Sequence, residues 1–265
     1  MEALEHESKP VTAKKQGRLS PFSASFVTIV SYLACTIFLP ALLVSFIFVL
    51  SPLVGGPSQD EITKQLSDSS TIQFMLSLFI YATLAGIIYI FMKSRDVSLK
   101  EIGLGRGPNG KDALYAVGFF IIYFVVNAII FALVKQYIPA INTEQEQQIG
   151  YENAAGPALL LVFIALVVLP PLVEEFAVRG FLYTGLRRKL SKITATMVAS
   201  VLFGLAHLQF LSGAAPLYIA AIDTFVLSVF LIALRERTGS LWAGIFVHAI
   251  KNGLAFTVLF LFAAR

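Results

Sequence analysis

Cysteine, histidine and charge are all scarce in this chain, and each scarcity excludes something. Cys35 is the single cysteine, so an intramolecular disulfide and a cysteine-built metal cluster are both impossible. Nothing near it in sequence would ionise a catalytic thiol. Charged residues make up only 14% of the 265 positions against 57% hydrophobic ones, and the mean hydropathy is +0.79. A soluble domain does not have this balance. No internal repeat and no low-complexity tract is visible.

What fills the chain instead is a series of apolar runs long enough to cross about 30 Å of hydrocarbon. They lie near 24–50, 72–92, 113–135, 156–179, 193–211, 217–234 and 241–262. The chain therefore reads as an all-α, polytopic transmembrane helical bundle of about seven spans, or eight. Basic residues near segment ends set topology. Lys9, Lys14, Lys15 and Arg18 precede the first span; Lys93, Arg95, Lys100, Arg106 and Lys111 follow the second. Arg187, Arg188, Lys189 and Lys192 follow the fourth, and Arg235 and Arg237 the sixth. The alternate loops carry Asp60, Glu61, Asp68, Glu144, Glu146 and Glu152, with Lys64 and Lys135 as the basic counterweights. This pattern puts the N-terminus in the cytoplasm and Arg265 outside, in a plasma-membrane protein. A cationic nucleic-acid surface is the rival reading of a pI near 9.1, but the basic residues flank apolar segments, so no nucleic-acid partner is expected.

Three parts follow from content. Residues 1–23 form a polar cytoplasmic tail, since the apolar stretch behind them is too long for a signal-peptide core. Residues 24–155 are accessory transmembrane helices and loops with few polar atoms. Residues 156–265 concentrate the ionisable groups, and are expected to hold the catalytic core.

In that last part, Glu174, Glu175 and Arg179 interrupt the fourth span. Each ionised side chain near mid-membrane costs roughly 2.5–3.5 kcal/mol on insertion scales, so three in six residues require partners, water or a task. Pro170-Pro171 just before them predicts a kink or break, with helix from Leu172 to about Lys189 and a new helix starting at Ser191 or Thr194. On straight helices at 1.5 Å per residue, Glu174 and His207 both lie roughly 21–23 Å from the intervening basic turn. His248 and Asn252 lie about 16 and 22 Å from Arg237. All four polar groups are expected to meet around one hydrated pocket.

Their spacings suggest roles. Glu175 and Arg179, four apart, share a face and can neutralise each other, which leaves Glu174 as the proton-transferring base. Phe203 and His207 are also four apart, so the ring can restrict the imidazole. His248 and Asn252 share a face and offer donors suited to an oxyanion. Lys251, too costly to leave in lipid, has Asp223 as a candidate partner, at depths of about 21 and 18 Å; snorkelling outward is the alternative.

Glu174-Glu175-xxx-Arg179, Phe203-xxx-His207 and His248-xxx-Asn252, in this order, resemble the three motifs of the CPBP intramembrane protease family, which contains CAAX-prenyl endopeptidases and bacterial Abi proteins. Thr238-Gly239-Ser240-Leu241-Trp242 and Gly180-Phe181-Leu182-Tyr183 look like it too, and the likeness covers about 156–255. The resemblance implies an all-helical endopeptidase with a site sunk in the bilayer and reached from the cytosolic side. Glu174 and His207 would activate water, while His248 and Asn252 polarise the scissile carbonyl. The substrate it implies is a membrane-associated peptide or protein, prenylated or not. The family has also been described as metal-dependent, in which case Glu174, His207 and His248 are the zinc ligands. Asparagine is a poor zinc ligand and the His-Glu-xx-His spacing is absent, so a metal-free reaction is favoured. Two other classes remain open: a non-catalytic membrane binding or immunity protein, and a proton-coupled transporter, although the latter often has repeated halves.

Overall fold

The computed structural model describes residues 19–143, 150–151, 153–208 and 215–262. His6, the basic residues up to Arg18, the loop acids Glu144, Glu146 and Glu152, and Arg265 lie outside these. Among the described residues the chain forms eight helices and no strand. They are α1 (Pro21–Leu53), α2 (Gln59–Asp68), α3 (Ser70–Ser94), α4 (Gly110–Tyr137), α5 (Ala158–Arg187), α6 (Lys192–Ala206), α7 (Tyr218–Thr238) and α8 (Trp242–Phe262).

Six of them, α1, α3, α4, α5, α7 and α8, are long and apolar enough to cross a membrane. The seventh expected crossing, 193–211, contracts to α6, whose 15 residues reach about 22 Å, short of the hydrocarbon thickness. Its start is the expected one: the Ser191 hydroxyl accepts from Thr194 N–H at 3.1 Å, satisfying a donor the first turn leaves open.

Burial ranks the spans. In the most apolar window of α5 and α7, 39% and 44% of residues are inside the protein, against 6–11% for α1, α3 and α4. The helices carrying the polar groups are thus the central ones. One apolar cluster joins α1, α3, α5 and α6 through Ala24, Ile88, Phe181 and Phe203. A second joins α4, α7 and α8 through Tyr123, Leu227, Leu231 and Val247. Two glycines let helices approach closely. A Cβ at Gly204 would lie 2.8 Å from Ala221 O, and one at Gly185 would lie 2.2 Å from Ala24 Cβ, so α6 packs tightly on α7 and α5 on α1.

The turn between α7 and α8 is made by Gly239 at φ +66°, where L side chains are strained. The neighbouring run clamps the α3–α4 loop: Leu241 N–H donates to Gly103 O at 3.0 Å, and Trp242 Nε1 donates to Arg106 O at 2.7 Å. Arg106 in turn grips Asp112 through both terminal nitrogens, at 2.6 and 2.7 Å, at the start of α4.

Pro170 and Pro171 do not break α5. The helix widens to π geometry over Ile164–Val168 and again over Glu175–Leu182, and remains continuous. In the wider turn a carbonyl reaches five residues ahead instead of four, so Val167 O, whose α partner would be Pro171, can turn to the Leu172 N–H.

Candidate active site

Glu174 is the last residue before the second widened turn, and the motif residues Glu175 and Arg179 lie within it. π turns interrupting α-helices are frequent at functional sites. Glu175 and Arg179, 1% and 0% exposed, pair at 2.9 Å. The same Glu175 oxygen faces His248 Nδ1 at 3.1 Å. Because a carboxylate only accepts, His248 Nδ1 must carry the proton. Glu175 therefore joins the α5 guanidinium to the α8 imidazole, a wider task than the pairing with Arg179 alone.

Phe203 is central to the aromatic packing. Its ring lies 4.7 Å from that of His207 and 6.3 Å from that of His248, both edge-on. The Arg179 guanidinium carbon stands 4.1 Å from the ring centre on another side, a cation–π contact that partly offsets the burial of Arg179. His207 caps the end of α6, with Nδ1 2.8 Å from Phe203 O. A carbonyl cannot donate, so Nδ1 is the protonated nitrogen and Nε2 of the neutral ring is left as a base.

Glu174 and His207 both line a cavity of about 800 Å³. Its walls are largely apolar and come from α1 (Thr28, Tyr32, Thr36), α3 (Leu84), α5 (Ala177, Val178, Leu182) and α6 (Leu202, Phe203). His248 approaches Glu174 with Nε2 4.0 Å from Oε2, and is not part of the cavity wall. Asn252 does not line it either: its side-chain N–H donates to Leu166 O at 2.9 Å. Of the four groups expected around one pocket, Glu174 and His207 are on its wall, His248 stands behind Glu174, and Asn252 is turned to the Leu166 carbonyl.

The bond from Asn252 has a cause in the sequence. The helical partners of Leu166 O would be the N–H of residue 170 in an α turn or of residue 171 in a π turn, and both are proline, which has none. The double proline orphans this one carbonyl, and Asn252 satisfies it. The amide nitrogen carries a second proton.

Asp223 and Lys251 stand 2.7 Å apart. Asp223 also accepts from the Tyr123 hydroxyl and, at 2.9 Å, from Asn127 Nδ2, so α4, α7 and α8 are tied together at one carboxylate.

Sequence reasoning missed two groups, both in the stretch read as accessory. The Tyr81 hydroxyl on α3 donates to Glu174 Oε1 at 3.1 Å, and Tyr32 on α1 lines the cavity with Glu174. The available signal was the spacing Gln73, Ser77, Tyr81, polar every four residues along an otherwise apolar helix.

In the metal-dependent alternative the zinc ligands are Glu174, His207 and His248. Among the described residues no group of three or more histidine, cysteine, aspartate or glutamate side chains is placed to hold a metal. Both imidazoles hold Nδ1 against a protein acceptor, which leaves Nε2 as the available nitrogen of each ring.

Comparison with known proteins gives the same region a likeness. Residues 156–254 match the model of the family described as "Type II CAAX prenyl endopeptidase Rce1-like". A Bacillus subtilis (strain 168) protein named "Putative membrane peptidase YdiL" is 26% identical over 171 residues, which is 64% of this chain and 66% of the relative, just under two thirds of its length. No solved structure gives a significant match.

Proposed function

From the match of residues 156–254 to the type II CAAX prenyl endopeptidase Rce1-like family model, we propose that this multi-pass membrane protein is an intramembrane endopeptidase of that kind using Glu174 as general base. The observation that carries the reading is Glu174 itself. It is 7% exposed and sits on the wall of an apolar cavity beside His207. One carboxylate oxygen is hydrogen-bonded by Tyr81; the other is without a hydrogen-bond partner among the described residues.

In the proposed reaction, a water between Glu174 and His207 attacks the carbonyl carbon of a peptide in the cavity as Glu174 takes its proton. His207 Nε2 accepts the water's other hydrogen and orients it. The tetrahedral intermediate collapses with cleavage of the C–N bond, and the proton on Glu174 passes to the leaving amine. His248 Nε2 and the second proton of Asn252 stabilise the oxyanion, at roughly 3–4 kcal/mol per good donor. His248 can donate from Nε2 only while both ring nitrogens are protonated, and Glu175 opposite Nδ1 is the counter-charge for that form. The substrate is a membrane-associated peptide, and the predominantly apolar cavity suits one with an apolar or lipidated segment. The basic loops place the N-terminus in the cytoplasm.

The test is cleavage of a membrane-embedded peptide, with and without a prenyl group, by wild type and Glu174→Gln in proteoliposomes. Wild-type turnover that disappears in the glutamine variant supports the reading. Equal cleavage by both defeats it, as does peptide binding with no cleavage by wild type, the behaviour of a binding or immunity protein.

A further inference from the structure

A carboxylate that serves as a base in the membrane needs one oxygen held and the other presented. Glu174 is arranged in this way: Oε1 accepts from Tyr81 at 3.1 Å, while Oε2 faces His248 Nε2 at 4.0 Å. Oε2 is buried, with no hydrogen-bond partner among the described residues. Tyr81 lies on α3, outside the family-matched segment, and a phenol toward a carboxylate can only donate.

The helix that carries Tyr81 is itself fixed in rotation. Gln73 and Ser77, eight and four residues earlier, lie on the same face. Gln73 Nε2 donates to Leu66 O and Ser67 O at 3.1 and 2.6 Å, and its Oε1 accepts from Tyr151 N–H at 2.8 Å. Ser77 Oγ pairs with the Tyr151 hydroxyl at 3.1 Å. Tyr151 is 4% exposed and holds φ +66°, a conformation a tyrosine keeps only where its surroundings enforce it. One helical turn beyond this lock is the phenol that meets Glu174.

We infer that Tyr81 is a positioning residue: by binding Oε1 it fixes the Glu174 carboxylate so that Oε2 is the oxygen presented to water, and the Gln73–Ser77–Tyr151 contacts hold Tyr81 in place to do so. The inference rests on the proteolytic reading and gives α3, outside the family-matched segment, a part in the chemistry.

Steady-state cleavage of the membrane peptide by wild type, Glu174→Gln, Tyr81→Phe, Ser77→Ala and Ser77→Ala/Tyr81→Phe tests it. Tyr81→Phe keeps the ring and loses one hydrogen bond to a charged group, so kcat is expected to fall by about tenfold or more, with KM and the unfolding midpoint unchanged. Ser77→Ala is expected to lower kcat where Tyr81 is present and to add nothing on top of Tyr81→Phe, since both act through one bond. A Tyr81→Phe kcat equal to wild type overturns the inference, as does a raised KM at constant kcat, which would put the phenol on the substrate. Should Tyr81→Phe lose stability, Ser77→Ala decides alone, a lowered kcat supporting the role and an unchanged one overturning it. Wild type no faster than Glu174→Gln brings down the proteolytic reading itself. An inert Glu174→Gln beside a fully active Tyr81→Phe brings down only this inference.

Discussion

Replacing Glu175 with leucine should unfold this protein more readily than removing Glu175 and Arg179 together. Arg179 is fully buried and its ion pair is with Glu175; its Nε and Nη2 have no hydrogen-bond partner among the described residues. Stranding one member of such a pair costs about 3–5 kcal/mol. The Phe203 face, 4.1 Å away, is there with or without Glu175 and offsets none of the difference, so the expected loss for Glu175→Leu from the stranded charge is about 3–5 kcal/mol. In Glu175→Leu/Arg179→Met both charges are gone and apolar volume remains, a change that elsewhere is neutral or stabilising; what is left is the buried His248 N–H without its acceptor, so the double variant should lose about 1–3 kcal/mol, less than the single one. The assay is equilibrium unfolding in mixed micelles. It can be followed by the fluorescence of Trp242, the single tryptophan, which reports on the clamp it forms with Arg106 O. Neither variant should recover activity, because His248 loses its Nδ1 acceptor in both. A single variant as stable as wild type, or a double variant as unstable as the sum of the singles, would refute the reasoning.

Asn252→Ala removes the donor to the part-buried Leu166 carbonyl and should cost about 0.5–1.5 kcal/mol; adding Pro170→Ala supplies the missing helical donor and should recover part of the stability but not the activity, as unfolding and cleavage measured together would show. Gly204→Ala drives a Cβ to 2.8 Å from Ala221 O, and should destabilise by about 1–3 kcal/mol and slow turnover by shifting His207, whereas Gly86→Ala, with open space at its Cβ, should do neither. At the surface, the Ser58 backbone N–H and hydroxyl hold the Glu61 carboxylate below its usual range. Their support for α2 is present above the ordinary glutamate value and lost as pH falls through the lowered one, so amide exchange in Gln59–Asp68 should quicken there, and Glu61→Gln should remove the pH dependence.

Much of the site was legible because helical spacing is a strong constraint in lipid. The four-residue intervals of Glu175–Arg179 and Phe203–His207 correspond to contacts in the structure, and depth counting along helices brought Asp223 to the level of Lys251. Local chemistry also set the start of α6 at Ser191. What escaped was set by contacts distant in sequence. Pro170-Pro171 reads as a break when only its own helix is considered, but widened turns and an amide from α8 absorb the lost donors. Depth counting on ideal α-helices could not say that His248 would stand behind Glu174, that Asn252 would turn to the Leu166 carbonyl, or that His207 would sit at a helix end. Tyr81 is one of nine tyrosines in a region without motifs, and its partner is 93 residues away. Only the packing of α3 on α5 singles it out.

The most direct measurement of the central claim follows the oxygen. Wild-type protein in proteoliposomes, given a membrane-embedded peptide in heavy-oxygen water, should release a fragment whose new C-terminal carboxylate carries the label by mass spectrometry, and Glu174→Gln should release none. Labelled fragment from both proteins, or fragment without label from the wild type, would contradict water activation by Glu174.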